Sequence, residues 1–206
     1  MSSPMPAGNA MPPGPPAPMA PWPPAPKRTS AALIACLVVA LVSVPVLGVL
    51  ASLAIYGARR YLVTAKIAEA RANVAALGRA AQAAYERETD DGTGRLVHRL
   101  CPSASQSVPV AATRGRKYVS VPSDWEIDAA GNAGFACLRF ALRQPQYYQY
   151  SYQATGAGNP GDRFTVTAQG DLDADGVVSS FVLEGVVQPD GTLEVARSIV
   201  ETDPLE

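Results

Sequence analysis

The pattern of hydrophobic and polar positions divides the chain into segments of different character. Residues 31–56 form an apolar run, and no charged side chain occurs from Thr29 to Ala58. As a helix the 26-residue run would be about 39 Å long, more than the ~30 Å hydrocarbon core of a bilayer. A cleavable secretory signal would have a shorter apolar core and a small-residue cleavage site soon after it. The pattern predicts a retained transmembrane helix over residues 29–58, kinked or missing one hydrogen bond at Pro45.

The helical pattern continues outside the predicted membrane span, over residues 59–90. Apolar residues recur there at steps of three and four, which is typical of one buried helix face. That face needs a partner: either the chain's own C-terminal domain, which is the favoured reading, or the same helix in neighbouring copies. The predicted packing stripe consists of Val63, Ile67, Ala70, Val74 and Leu77.

From about Leu100 the pattern becomes strand-like. Tyr148, Tyr150 and Tyr152 alternate with polar residues, which predicts a strand with tyrosines on one face. Further strands are predicted around residues 164–168, 177–187 and 192–199, separated by turn signals such as Asp-Gly and Pro-Asp-Gly. Such an antiparallel meander, covered by an apolar helix face, predicts an α+β head over residues 91–206.

The N-terminal segment, residues 1–28, has a composition of its own. Eleven of the 19 prolines and all four methionines lie in residues 1–26, which carry no charged side chain. A segment with so little to bury is expected to be a disordered Pro-rich tail. A docking segment for a proline-reading partner, centred on Trp22, is the alternative.

Two stretches of the long helix carry a family pattern. The stretch GVLASLAI begins at Gly48, and AKIAEARAN begins at Ala65. In this order they resemble the N-terminal helix of type IV pilins and pseudopilins. The resemblance implies a pilin-like fold and a structural role as a subunit of a type IV pilus or a type II secretion-type assembly. It also implies that the N-terminal helix contacts other pilin or pseudopilin subunits and the membrane.

The prepilin leader motif of that family is missing from the corresponding positions. Counting back from Gly48 places Ile34 where the leader glycine stands, Ala35 at the first mature residue and Val39 at the glutamate of the helix. No acidic residue precedes Glu69. We therefore expect a pilin-like protein that stays in the inner membrane. The alternative is a membrane-tethered extracytoplasmic binding module that does not polymerise.

The cysteines bear on the compartment of the head. Cys101 and Cys137 lie near predicted strand starts and, in an extracytoplasmic head, are expected to form a disulfide. Closing that loop would stabilise the head by about 4 kcal/mol in the chain-entropy model. The alternative is two free thiols in a cytoplasmic domain. Cys36, within the apolar run, is expected to be a small buried hydrophobic residue.

The charges that flank the apolar run predict the opposite orientation. Lys27 and Arg28 precede it, whereas four basic residues follow it by position 71, which slightly favours a cytoplasmic head. We give the cysteines precedence. The expectation is a cytoplasmic N-terminus and a periplasmic or extracellular head.

The strongest candidate chemistry is an acidic loop. Asp171, Asp173 and Asp175 alternate before Gly176, which is how calcium loops collect hard oxygen ligands. The favoured alternative is an acidic β-turn whose aspartates bond their own backbone. In EF-hand spacing Ser179 would take the ninth position, but Val182 stands at the twelfth, and Glu184 comes two residues too late.

No catalytic pattern is found, and we expect no enzymatic activity. His98 is the only histidine, and no nucleophile elbow, phosphate loop or dinucleotide fingerprint occurs. The net charge of −1 argues against a nucleic-acid partner. The charge is uneven, because residues 27–117 carry +8 and residues 162–206 carry −8. These regions are expected to attract each other within one subunit or between subunits.

Overall fold

The first element of the fold is a single long helix, α1, which runs from Thr29 to Glu86. A computed structural model describes Gly14, residues 29–90 and residues 92–205, with only the backbone described for residues 29 and 30. The predicted Pro-rich tail therefore lies outside the described residues, apart from Gly14. The chain divides after Ala51 into two compact units, residues 1–51 and 52–206.

The described part of the first unit is the apolar part of α1. Its large hydrophobic side chains are all exposed, as Leu37 and Leu41 illustrate at 69% and 77%. Cys36, which was expected to be buried, is exposed as well. Among the described residues, α1 is the one helix long and apolar enough to cross a membrane. Pro45 lies inside the helix and can donate no backbone hydrogen bond there.

The second unit contains a five-stranded antiparallel sheet. Strands β3, β4 and β5 are Gln149–Thr155, Arg163–Gly170 and Ser179–Val187. Two short strands, β6 (Leu193–Val195) and β7 (Val200–Thr202), both pair with β5. The order β3-β4-β5 follows the chain, as in a meander. The predicted α+β layout, a long apolar helix with an antiparallel sheet, is thus confirmed.

The predicted stripe of α1 packs into the core that the sheet provides. Ile67, Ala70, Val74 and Leu77 are at most 4% exposed, and Val63 is partly buried against the same core. Two partners were considered for this stripe, the chain's own domain and neighbouring copies, and in the structure the chain's own domain packs on it. Small residues allow a close approach, because a Cβ on Gly78 would overlap the side chain of Leu183 in β5.

Hydrogen bonds and an ion pair also join α1 to the sheet and its loops. Asn73 Nδ2 donates to the Tyr150 hydroxyl at 2.8 Å, and the Tyr85 hydroxyl donates to the Gly191 carbonyl at 2.9 Å. Arg71 donates two hydrogen bonds of 2.7 Å to the carboxylate of Glu201 in β7. This ion pair is solvent-exposed, so we expect it to contribute at most about 1 kcal/mol.

The segment between α1 and β3 is less regular than expected. The helix ends at Glu86 rather than near residue 90, and a two-stranded ladder follows, formed by β1 (Thr89–Asp90) and β2 (Leu96–Val97). Two short helices come next, α2 (Pro122–Trp125) and α3 (Gly134–Leu138). Trp125 is buried, with its ring centroid 4.9 Å from that of Phe135.

The predicted disulfide between Cys101 and Cys137 is present, with 5.8 Å between the Cα atoms. The expectation that both cysteines lie near strand starts is wrong. Cys137 lies on α3, and Cys101 lies in an irregular segment. That segment runs beside β3, because Ala104 N donates to the Tyr152 carbonyl at 3.0 Å.

Glycines in the sheet make room for buried aromatic rings. Gly185 pairs with Phe164 across β4 and β5, and a Cβ on Gly185 would lie 2.7 Å from Phe164 Cζ. In β4, a Cβ on Gly170 would lie 2.6 Å from Tyr148 Cδ1. Both rings are fully buried and have little freedom to move in a close-packed core.

We therefore predict that Gly185→Ala lowers the free energy of unfolding by about 1–3 kcal/mol, because it overpacks the core. The measurement is urea unfolding of the full chain in detergent micelles. It is followed by Trp125 fluorescence in a Trp22→Phe background.

The matched control is Gly131→Ala, since a Cβ at Gly131 meets nothing within 4 Å. We expect this substitution to change stability by less than about 0.5 kcal/mol. Equal effects of the two substitutions would contradict the packing of Phe164 on Gly185.

Candidate functional site

The acidic loop joins β4 to β5 and places its three aspartates together. Carboxylate oxygens of Asp171, Asp173 and Asp175 all lie within 4.8 Å of one another. Asp171 is buried where β4 ends, and the other two are exposed. Among the described residues this is the one group of three or more acidic, histidine or cysteine side chains close enough to share a metal ion.

The aspartates also accept hydrogen bonds from the loop's own backbone. Asp171 accepts from Ala174 N at 2.6 Å and from Gly176 N at 3.2 Å, one bond to each carboxylate oxygen. Asp173 accepts from Asp175 N at 3.2 Å. Ala174 and Gly176 have positive φ angles of 67° and 98°. These are the bonds of the acidic-turn alternative, in which carboxylates satisfy backbone donors.

The residues expected to complete a calcium loop belong to β5. Ser179 is fully buried, and its hydroxyl donates to the Gly170 carbonyl at 2.7 Å. Val182 and Glu184 pair with Thr167 and Thr165 of β4. Along an extended strand Glu184 is about 17 Å from Ser179, at ~3.3 Å per residue. The three aspartates can offer hard oxygen ligands to a cation, but Glu184 does not complete the set.

A second polar cluster lies beside the start of the packing stripe. Glu69 Oε1 accepts a hydrogen bond from Tyr147 N at 3.1 Å. Lys66 Nζ and Lys117 Nζ lie 4.3 and 5.4 Å from the centroid of the Tyr147 ring, as in cation–π contacts. A cleft of about 630 Å³, lined by Glu69, Asn73 and the segment 141–146, adjoins this cluster.

The carboxyl of Glu69 is electrostatically unusual. Burial raises the pKa of Glu69, and the hydrogen bond from Tyr147 and the charges of Lys117 and Lys66 oppose this rise without cancelling it. Sequence reasoning missed this cluster because Tyr147 is 78 positions away from Glu69. Only the fold brings the two residues together.

The single histidine has a structural environment. His98 stacks on Tyr85, with 5.6 Å between ring centroids. Its Nδ1 lies 3.0 Å from the Tyr85 carbonyl oxygen, so this nitrogen carries the proton that is donated. The residue belongs to none of the acidic clusters described above.

The comparisons with known proteins give no relative: no family model matches the chain, and neither a curated protein nor a solved structure shows significant similarity to it.

For the acidic loop we predict that Asp171→Ala lowers the free energy of unfolding by about 1–3 kcal/mol, because two backbone donors lose their acceptor. Asp173→Ala is the control. It removes one exposed bond, and we expect a change within about 0.5 kcal/mol. The same urea titration measures both. Equal losses of unfolding free energy in the two variants would contradict the prediction that Asp171 stabilises the loop more than Asp173 does. A calcium-dependent gain in stability that both variants lose would identify a calcium loop instead.

For Glu69 we predict a pH-dependent effect of Glu69→Gln. The folded state holds the proton of Glu69 more tightly than the unfolded state, so the wild-type protein loses stability as the pH rises from the ordinary glutamate pKa of about 4.3 to the raised one. Glutamine keeps an acceptor for Tyr147 N and carries no charge.

Unfolding free energies measured between pH 4 and pH 7 test this prediction. We expect the variant and the wild type to agree at the acidic end, and the variant to be more stable at neutral pH. A variant that is less stable at neutral pH would show that the ionised carboxylate is favourable where it lies.

Proposed function

We propose that this chain is a membrane-anchored, pilin-like structural subunit, which contacts further subunits of a type IV pilus or type II secretion-type assembly through helix α1. The observation that carries the proposal is that two parts of α1 have different surroundings. One side of the helix is buried by the chain's own sheet, and the apolar part of the helix is left uncovered. The pattern shared with the pilin helix, at Gly48–Ile55 and Ala65–Asn73, lies on this same element.

The apolar part of α1 supports anchoring. Hydrophobic side chains with exposed fractions above one half occur from Leu33 to Leu62. Such a surface is unfavourable in water by roughly 25 cal/mol for each Å², so it requires lipid or other apolar helices around it. Tyr56 and Tyr61, at 65% and 75% exposed, lie on either side of Arg59 and Arg60, the first charged residues after the apolar run. Tyrosines in such a position are typical of a membrane–water interface.

The side of α1 that faces away from the sheet supports helix–helix contact. Ala68 is exposed there, whereas Ile67, Ala70 and Val74 are buried. Ala65 and Ala72 are also exposed, and they line the cleft beside segment 141–146. Alanine side chains let a second helix approach closely. The stripe predicted from the sequence is thus used within the subunit, and contacts between subunits would use the remaining surface.

The disulfide supports the proposed orientation. A bond between Cys101 and Cys137 is favoured in an oxidising compartment, so we place the head outside the cytoplasm and the N-terminus inside. Arg59 and Arg60 follow the apolar run on the head side and oppose this orientation by the positive-inside rule. We give the disulfide more weight, because it contributes directly to the stability of the folded head.

Photocrosslinking in intact cells tests the proposal. We place p-benzoyl-phenylalanine at Leu41, Leu50 or Ala68, which are exposed positions of α1. The control position is Val119 of the head, which is 63% exposed. We expect dimers and higher homo-oligomers from the helix positions and none from Val119. Monomer alone from all three helix positions would overturn the proposal and favour a tethered binding module.

The intact mass in sheared surface material and in membranes then separates two forms of subunit. A species that begins near Ala35 in the sheared fraction would identify a processed filament subunit. Full-length protein confined to membranes, together with helix crosslinks, would identify a subunit of a membrane-bound assembly.

A further inference from the structure

A cleft of about 480 Å³ opens beside the end of α1 and collects arginines. Arg87 follows the last residue of α1, Arg99 precedes Leu100 and Cys101, and Arg139 follows α3. All three line the cleft, and among its described lining residues Glu88 is the one acidic side chain. Three cationic side chains from three separate segments therefore surround one concavity.

The walls of this arginine cleft are held by covalent and backbone bonds. Both cysteines of the disulfide line it. Arg87 Nη2 donates to the Cys137 carbonyl at 2.7 Å, and Leu100 N donates to the Ala157 carbonyl at 3.0 Å. The three segments are thus tied to one another, which limits the rearrangement that binding would require.

The charges of the cleft are not neutralised within the described part of the chain. Arg99 and Arg139 are exposed, and neither side chain makes a hydrogen bond or an ion pair with a described residue. Arg87 uses one nitrogen for the Cys137 carbonyl and keeps other donors. With three arginines against Glu88, the described lining has an excess of positive charge, and a concave surface with such an excess focuses its potential into the cleft.

We infer that the arginine cleft is a binding site for a compact organic or inorganic polyanion, with two or more phosphate or carboxylate groups. The planar guanidinium presents paired donors that match such oxyanions. The volume lies within the ~300–1,000 Å³ range of small-molecule sites, so a small ligand fits better than a helix or a folded partner.

The position of the cleft indicates where the ligand comes from. Ala84, which lines the cleft, is 24 residues further along α1 than Arg60, a distance of about 36 Å in a helix. A lipid headgroup at the end of the apolar run would be far beyond the ~8 Å Debye length from the cleft. The ligand is therefore a solute of the surrounding medium. The choice of a solute rests on the proposed anchoring of α1 in a membrane, whereas the anion site itself requires only the folded head and holds whether or not the chain assembles.

Calorimetric titration of the full chain in nanodiscs of zwitterionic phosphatidylcholine tests the inference, with pyrophosphate and citrate as probes. We expect saturable binding of at least one probe. Arg99→Ala and Arg139→Ala should each weaken it by about tenfold or more, as for loss of a charge-assisted bond. Both side chains are exposed, so their truncation leaves the core intact, which Trp125 fluorescence verifies.

Two further variants complete the experiment. Arg79→Ala removes the same charge from an exposed position of α1 outside the cleft, and we expect binding within about twofold of wild type. Glu88→Gln removes the one carboxylate among the described lining residues of the cleft, and we expect tighter binding. The absence of saturable binding, or an equal loss in Arg79→Ala and Arg139→Ala, would overturn the inference. Neither result would affect the crosslinks of α1, so the two proposals fail separately.

Discussion

The close contact between α1 and the sheet is the interaction on which the rest of the structure depends. It relies on small residues in the helix, with Ala70 fully buried and Gly78 lying against Leu183. A larger residue at Gly78 would require the Leu183 side chain to move, and a larger residue at Ala70 would overpack the core. Asn73 bonds to Tyr150 of β3, and Arg71 forms an ion pair with Glu201 of β7. These two contacts fix the rotation of α1 about its axis. That rotation determines which residues of the helix are left for other molecules.

The tyrosines of β3 connect this core to the disulfide segment. The Tyr152 hydroxyl donates to the Cys101 carbonyl at 3.1 Å, and Tyr150 exchanges backbone bonds with Val108. Burial raises the pKa of Tyr148 to about 12 and raises the pKa of Tyr150 and Tyr152 as well. The irregular segment that carries Cys101 is in this way attached to β3 through two buried tyrosines.

Sequence reasoning succeeded where the structure depends on local periodicity. The three-and-four spacing of α1 and the alternation of Tyr148, Tyr150 and Tyr152 each follow from burial of one face of one element. It failed at α3, which is only five residues long and is too short for a period to be recognised. The prediction of a strand near Cys137 was wrong for that reason.

Contacts between distant segments explain the other gaps. The carboxylate of Glu69 meets Tyr147, and Arg71 meets Glu201 across 130 positions, and neither pairing leaves a spacing in the chain. The three arginines of the cleft come together only because the disulfide and β3 fold the intervening segments back onto the end of α1. The acidic loop was visible in the sequence as a motif. Whether its aspartates bind a metal ion or the loop's own backbone depends on hydrogen bonds that a sequence does not display.

The two ends of the extramembrane helix can serve separate purposes because of its length. On the head side of the apolar run, Arg59 and Arg60 lie where a bilayer would screen or attract them, whereas the arginine cleft lies about 36 Å further along the helix. At physiological ionic strength charges that far apart act independently. The salt dependence of anion binding would then report on the cleft alone, and that of membrane association on the helix. The basic residues beside the apolar run and the arginines of the cleft thus have different surroundings in the fold.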